Sequence, residues 1–154
     1  MRTHPVGIIG MGLTKEQTCE LSIDVGWTTH VDPRCTVSCC IQVSLIRGLL
    51  RGEIFVEKDV NDCIERCYEW VKGRDDLMNP GNEDLRAQLI EKLLDRDDFT
   101  RYVHEDSLLA PYLDEPDKIG YAYRCIGLLS YRCAGRCAKS RTTILSSMKT
   151  SLRN

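Results

Sequence analysis

The chain has no run of about 18 consecutive apolar residues, the length a membrane-spanning helix needs. Its opening, MRTHPVGIIGMG, makes no secretory signal, because glycine and proline interrupt a short apolar stretch. It has no CxxC pair, no strand-like alternation of apolar and polar residues and no internal repeat. Acidic charge stops early: all 23 acidic residues lie at or before Asp117, and eight basic residues follow with no acidic one among them. These absences exclude a helical membrane protein and a β-rich or solenoid fold.

What is present is a globular composition. The 154 residues are 42% apolar and 29% charged, with a net charge of −2, enough for one domain with a real core. The charge divides into an acidic body and a basic end. That end, SRTTILSSMKTSLRN, has no aromatic platform and no dense Lys/Arg cluster, so neither nucleic acid nor a membrane is expected as a partner. Residues 138–154 are expected to form a basic, poorly ordered tail, with the helical domain over 1–137.

The nine cysteines are Cys19, Cys35, Cys39, Cys40, Cys63, Cys67, Cys125, Cys133 and Cys137. An odd count without a signal peptide argues against a secreted disulfide framework. Three CxxxC pairs occur, at 35/39, 63/67 and 133/137. On a helix this spacing puts both sulfurs on one face, which suits half a zinc site or small core residues equally. The cysteines fall in register with Val, Ile and Leu, so the expectation is reduced core thiols in a cytoplasmic protein. A cysteine-rich, metal-binding helical protein is the alternative.

Helical signals dominate. Thr14 and Gln17 form a capping box that opens a helix over 15–29. Asp32 and Pro33 start another, running to about Arg51, with Cys35, Cys39, Val43, Ile46 and Leu50 on one stripe and further apolar residues beside it. A third covers 57–72, where Val60, Cys63, Ile64, Cys67 and Val71 keep helical spacing. A fourth is expected over 84–94, a short one over 99–104 and a fifth over 118–137. Residues 1–12 read as a Gly-rich lead-in and GRDDLMNPGN as a loop. The fold class is all-α.

Two segments stand out against this frame. MRTHPVGI precedes the first long helix, and TTHVDPRC joins it to the second, which ends in LIRGLLRGEI. In this order, and with DKIGYAYRCIGLLSY further on, they resemble the ADP-ribosylglycohydrolase family over about residues 1–137. The resemblance implies a compact multi-helix fold whose members hydrolyse the glycosidic bond between ADP-ribose and a protein side chain or small molecule. It implies two divalent ions, magnesium or manganese, in the cleft, and ADP-ribose or ADP-ribosylated protein as partner. It puts His30 beside bound ADP-ribose; the bland alternative is a histidine that ties its own turn. Arg2, which ends the matching Met-Arg loop, serves an anion or braces the loop. Tyr121 stacks on adenine or is a half-buried helix tyrosine.

The family's carboxylate motifs, an early glutamate with a Ser/Thr-Asp-Asp triplet and a late Asp-x-Asp-Thr, have no counterpart in this sequence. Asp75–Asp76 and the run DDFT at 97–100 do not fall where those motifs belong and read as solvated carboxylates. The expectation is therefore a truncated family member, inactive as a hydrolase by itself and binding no metal. A non-catalytic module that binds ADP-ribose or a protein is the other reading of the same descent.

Overall fold

The computed structural model describes residues 3–30, 32–78 and 94–103. Among them every regular element is helical and there is no strand. Helix α1 spans His4–Ile9 and passes through a 3-10 turn, Gly10–Gly12, into α2, Lys15–Trp27. Helix α3 spans Pro33–Leu50 and α4 Glu57–Lys72. A single turn, α5, covers Asp75–Met78, and α6 covers Arg96–Val103. The helices expected over 84–94 and 118–137, and the tail after 137, lie outside the described residues.

Local chemistry sets each boundary. Thr14 and Gln17 do form the capping box: the Thr14 amide donates to Gln17 Oε1 at 3.0 Å and the Gln17 amide to Thr14 Oγ1 at 3.2 Å. Asp32 Oδ1 accepts from the Arg34 amide at 2.8 Å, and Pro33 takes the first helical position, where a missing N–H costs nothing. Asp59 caps α4 from inside, its Oδ2 accepting from the Phe55 and Val56 amides at 2.8 and 3.0 Å. Asp95 starts α6 by accepting from the Asp98 amide at 2.7 Å. That helix therefore begins ahead of the expected residue 99.

Two expectations need correction. The opening residues are α1 and a 3-10 turn rather than a lead-in, because Pro5 fixes a helical φ and Val6 finds the core. The loop after Arg74 begins with the turn α5, and Asp76 is not simply solvated, since it accepts from Arg74 Nη2 at 2.6 Å.

Helix α3 is the hub. Val37, Cys40, Ile41, Val43 and Leu45 are fully buried, with α1, α2 and α4 packed around them. Gly7 makes the α1 crossing possible: a Cβ there would stand 2.7 Å from Ile46 Cβ. Arg47 ties the far end of the hub to the α1–α2 connection. Its Nε donates to the Gly10 carbonyl at 3.0 Å, its Nη2 to the Leu13 carbonyl at 2.9 Å and its Nη1 to Glu53 Oε2 at 2.9 Å. Gly52, at φ 65°, turns the chain so that Glu53 reaches back and Ile54 covers Gly48. LIRGLLRGEI is thus a structural latch. Beyond α4, Tyr68 donates to the Leu94 carbonyl at 2.6 Å and lies against Phe99, ring centroids 4.3 Å apart, which holds α6 on the core.

Candidate functional site

The first half of α3 carries the polar features that the latch does not use. Helix α1 runs along α3 so that Thr3 and His4 come to Gln42. Thr3 Oγ1 donates to Gln42 Oε1 at 2.9 Å, and Gln42 Nε2 donates to His4 Nε2 at 2.9 Å. Helix α2 runs the opposite way and ends beside the same turns: a Cβ on Gly26 would meet Cys39 Sγ at 3.5 Å. The Cys39 thiol also lies against the hydroxyl of Thr3, and burial pushes it upward. MRTHPVGI therefore packs along α3 from Cys39 to Ile46, while TTHVDPRC makes the α2–α3 corner and the first turn of α3.

His30 is exposed at the end of α2, its amide donating to the Gly26 carbonyl at 2.9 Å. Its Nδ1 meets Thr29 Oγ1 at 2.8 Å, while Thr29 Oγ1 donates to the Gly26 carbonyl at 3.3 Å. Thr29 has one hydroxyl proton. With that proton on Gly26, the oxygen accepts from His30 Nδ1–H, and Nε2 faces out. Asp32 is occupied: Arg34 Nη2 donates to its Oδ2 at 2.6 Å and Arg34 Nε to its Oδ1 at 3.0 Å. Burial raises the Asp32 carboxyl, but the Arg34 side chain and amide outweigh it and leave the group below its ordinary value.

Of the sequence-derived candidates, His30 is exposed at the α2–α3 corner, whereas Arg2 and Tyr121 fall outside the described residues. His4 and Gln42 were missed. Gln42 did leave a signal, since a polar residue interrupts the stripe Cys35, Cys39, Ile46 at a core-facing position. The cysteines are core residues as expected: Cys19, Cys39, Cys40, Cys63 and Cys67 are buried and Cys35 is half-buried. Cys125, Cys133 and Cys137 lie outside the described residues.

The described residues do not fit a divalent-metal pair. Among them no three His, Cys, Asp or Glu side chains converge as ligands. Several carboxylates on and around α3 and α4 are engaged elsewhere: Asp32 on Arg34, Glu53 on Arg47 and Arg51, Asp59 on two backbone amides, Asp62 on Lys58. The second half of α3 borders a separate pocket of about 190 Å³, whose lining includes Lys15, Glu53, Asp59, Asp62 and Arg66.

The described residues form an all-helical scaffold with a histidine at the α2–α3 corner and a Thr3–Gln42–His4 hydrogen-bond chain beside its central helix. The ADP-ribosylglycohydrolase family model matches residues 1–149, and the chain belongs to that family. No curated protein and no solved structure matches it.

Proposed function

We propose that the chain acts in ADP-ribosyl removal by holding an ADP-ribose unit along α3, between His30 at its N-terminal corner and Thr3, His4 and Gln42 further along it. The observation that carries this reading is that both family motifs lie on α3, TTHVDPRC at its first turn and MRTHPVGI from Cys39 to Ile46. The imidazoles of His4 and His30 are exposed, and the carboxylate next to His30, Asp32, is neutralised by Arg34. A neutral His30 with Nε2 outward accepts from a ribose hydroxyl; protonated, it donates to a phosphate oxygen. Gln42, fixed by Thr3, holds His4 Nε2 as an acceptor and leaves Nδ1–H to donate. Arg2 and Tyr121 are proposed to extend the surface toward phosphate and adenine.

The glycosidic bond of ADP-ribose is the bond that members of the family hydrolyse. It breaks through a charged, oxocarbenium-like state. One positioned proton donor or acceptor contributes about 10²–10⁴-fold, short of the ~10⁶-fold or more typical of enzymes. Turnover therefore needs hard-oxygen metal ligands that the described residues do not bring together. The chain is read as the ADP-ribose-holding part of the hydrolase fold.

The test is calorimetry of the purified chain with ADP-ribose, alongside release of ADP-ribose from peptides modified on arginine and serine. Weak binding, lost in His30→Ala, is expected, with no turnover in magnesium. Binding unchanged by His30→Ala would refute the assigned surface. Magnesium-dependent turnover abolished by that substitution would refute the assignment of chemistry to residues elsewhere.

A further inference from the structure

Four thiols from three helices gather on the opposite flank of α3 from Thr3 and His4. Cys19 comes from α2, Cys40 from α3, and Cys63 and Cys67 from α4. All four are free and buried. Ser44, on α3, stands between two of them: its Oγ is 3.5 Å from Cys19 Sγ and 3.4 Å from Cys67 Sγ. Cys40 lies behind, with its Sγ 4.0 Å from the Cys19 carbonyl. Arg66 Nη2 is 3.4 Å from Cys63 Sγ.

These thiols are not sealed in hydrocarbon. A cavity of about 30 Å³ is lined by Cys19, Ser44, Cys67 and Trp70, with Lys15, Glu16 and Arg66 at its charged rim. Its walls Lys15, Ser44 and Arg66 also line the neighbouring pocket of about 190 Å³. A space of that size takes one small polar molecule, water or a hydroperoxide, and excludes a bulky organic disulfide. Lys15 and Arg66 outnumber Glu16 there, all three exposed, and leave a net positive charge at the rim. The thiols themselves are unequal. Hydrogen bonds from the Cys40 and Cys67 thiols lower Cys19, with Ser44 adding to the effect, while Cys40 and Cys67 are pushed up and stay protonated. Cys19 is thus suited to be the nucleophile and Cys67, on the same cavity wall, the partner that resolves it.

We propose that Cys19 and Cys67 form a peroxide-responsive dithiol whose oxidation joins α2 to α4 across the hub helix. The Cys19 thiolate attacks one oxygen of hydrogen peroxide; the O–O bond breaks, and the departing hydroxide takes a proton to become water. Cys19 is then a sulfenic acid. The Cys67 sulfur attacks the Cys19 sulfur and gives up its proton, the S–O bond breaks, and the hydroxide released takes that proton as a second water. Two thiols and one peroxide yield one disulfide and two waters. Ser44, within reach of both sulfurs, positions them. The disulfide fixes the relative placement of α2, whose C-terminal end at Trp27 leads to His30, and α4.

The experiment uses the full chain, reduced and then treated with equimolar hydrogen peroxide, quenched with N-ethylmaleimide and digested without reductant. Mass spectrometry should find a Cys19–Cys67 cross-linked peptide, and the oxidised chain should melt at a higher Tm that dithiothreitol restores to the starting value. Cys67→Ser should stop the reaction at a dimedone-trappable sulfenic acid on Cys19. The wild-type peptide map decides the matter even if that variant fails to fold. Oxidation confined to the half-buried Cys35, a disulfide between any other pair, or intact Cys19 and Cys67 thiols would overturn the proposal.

Discussion

At Gly7 the missing side chain sets how near α1 can lie to α3. Gly7→Ala places a methyl 2.7 Å from Ile46 Cβ and 3.1 Å from the Val43 carbonyl, neither of them the yielding end of a flexible side chain. The expected loss is about 1–3 kcal/mol in urea denaturation, the usual cost of overpacking. Arg47→Met would strip partners from the Gly10 and Leu13 carbonyls and from Glu53. Glu53 is partly solvated and the Gly10 carbonyl keeps the Leu13 amide at 3.0 Å, so the orphaned Leu13 carbonyl dominates, and a loss of about 2 kcal/mol is expected by the same measurement. Both residues belong to segments that carry the family resemblance, yet both are structural. A motif in a sequence does not separate a residue kept for contact with ligand from one kept for contact with its own fold. His30 stood out through the resemblance of TTHVDPRC to the family; the residues alone fit a histidine that ties its own turn equally well. Gln42 was overlooked because one polar residue in an apolar stripe carries little weight until its partners on another helix are known.

Among the elements, the long helices were the most legible. Thr14, Asp32 and Gly73 mark the ends of α2, α3 and α4 by capping and stop chemistry that acts within a few residues. Helices α1 and α5 were not, since each is shorter than two apolar periods and forms only because a tertiary surface receives it. Asp32→Ala should cost about 1 kcal/mol of stability through the lost cap. The loss should depend on pH. The Asp32 carboxyl lies below its ordinary value of 3.8 in the folded chain, so its contribution is complete above that value and fades as pH falls through the lower, folded one. Wild type and Asp32→Ala should therefore differ in urea midpoint at neutral pH and converge toward pH 2–3, the range below the ordinary carboxylate pKa of about 4. A difference that held constant across that range would show that the cap acts through backbone geometry rather than charge.

On the scale of the whole molecule, the described helices leave apolar surface in view. Ile8, Ile9 and Met11 on the α1 side, and Leu49, Leu50 and Phe55 at the end of the hub, are each at least 40% exposed. Contiguous surface of this kind drives association. Sedimentation velocity of the purified chain should show concentration-dependent oligomers, and a monodisperse monomer with a cooperative melt would contradict this. Helical periodicity foretold an all-helical core and a second helix apolar around much of its surface, but not which residues stay in view, because apolar stripes look alike in sequence whether or not a neighbour covers them. The hub helix has a consequence for synthesis as well. Its partners α1 and α2 precede it and α4 follows, so a nascent chain that has released α3 from the ribosome already holds two sides of the core. The third side, with Ile41 and Leu45, stays open until the next helix emerges. At about 5–20 residues per second, that interval lasts on the order of seconds, long enough for a chaperone to bind the unfinished face before α4 closes it.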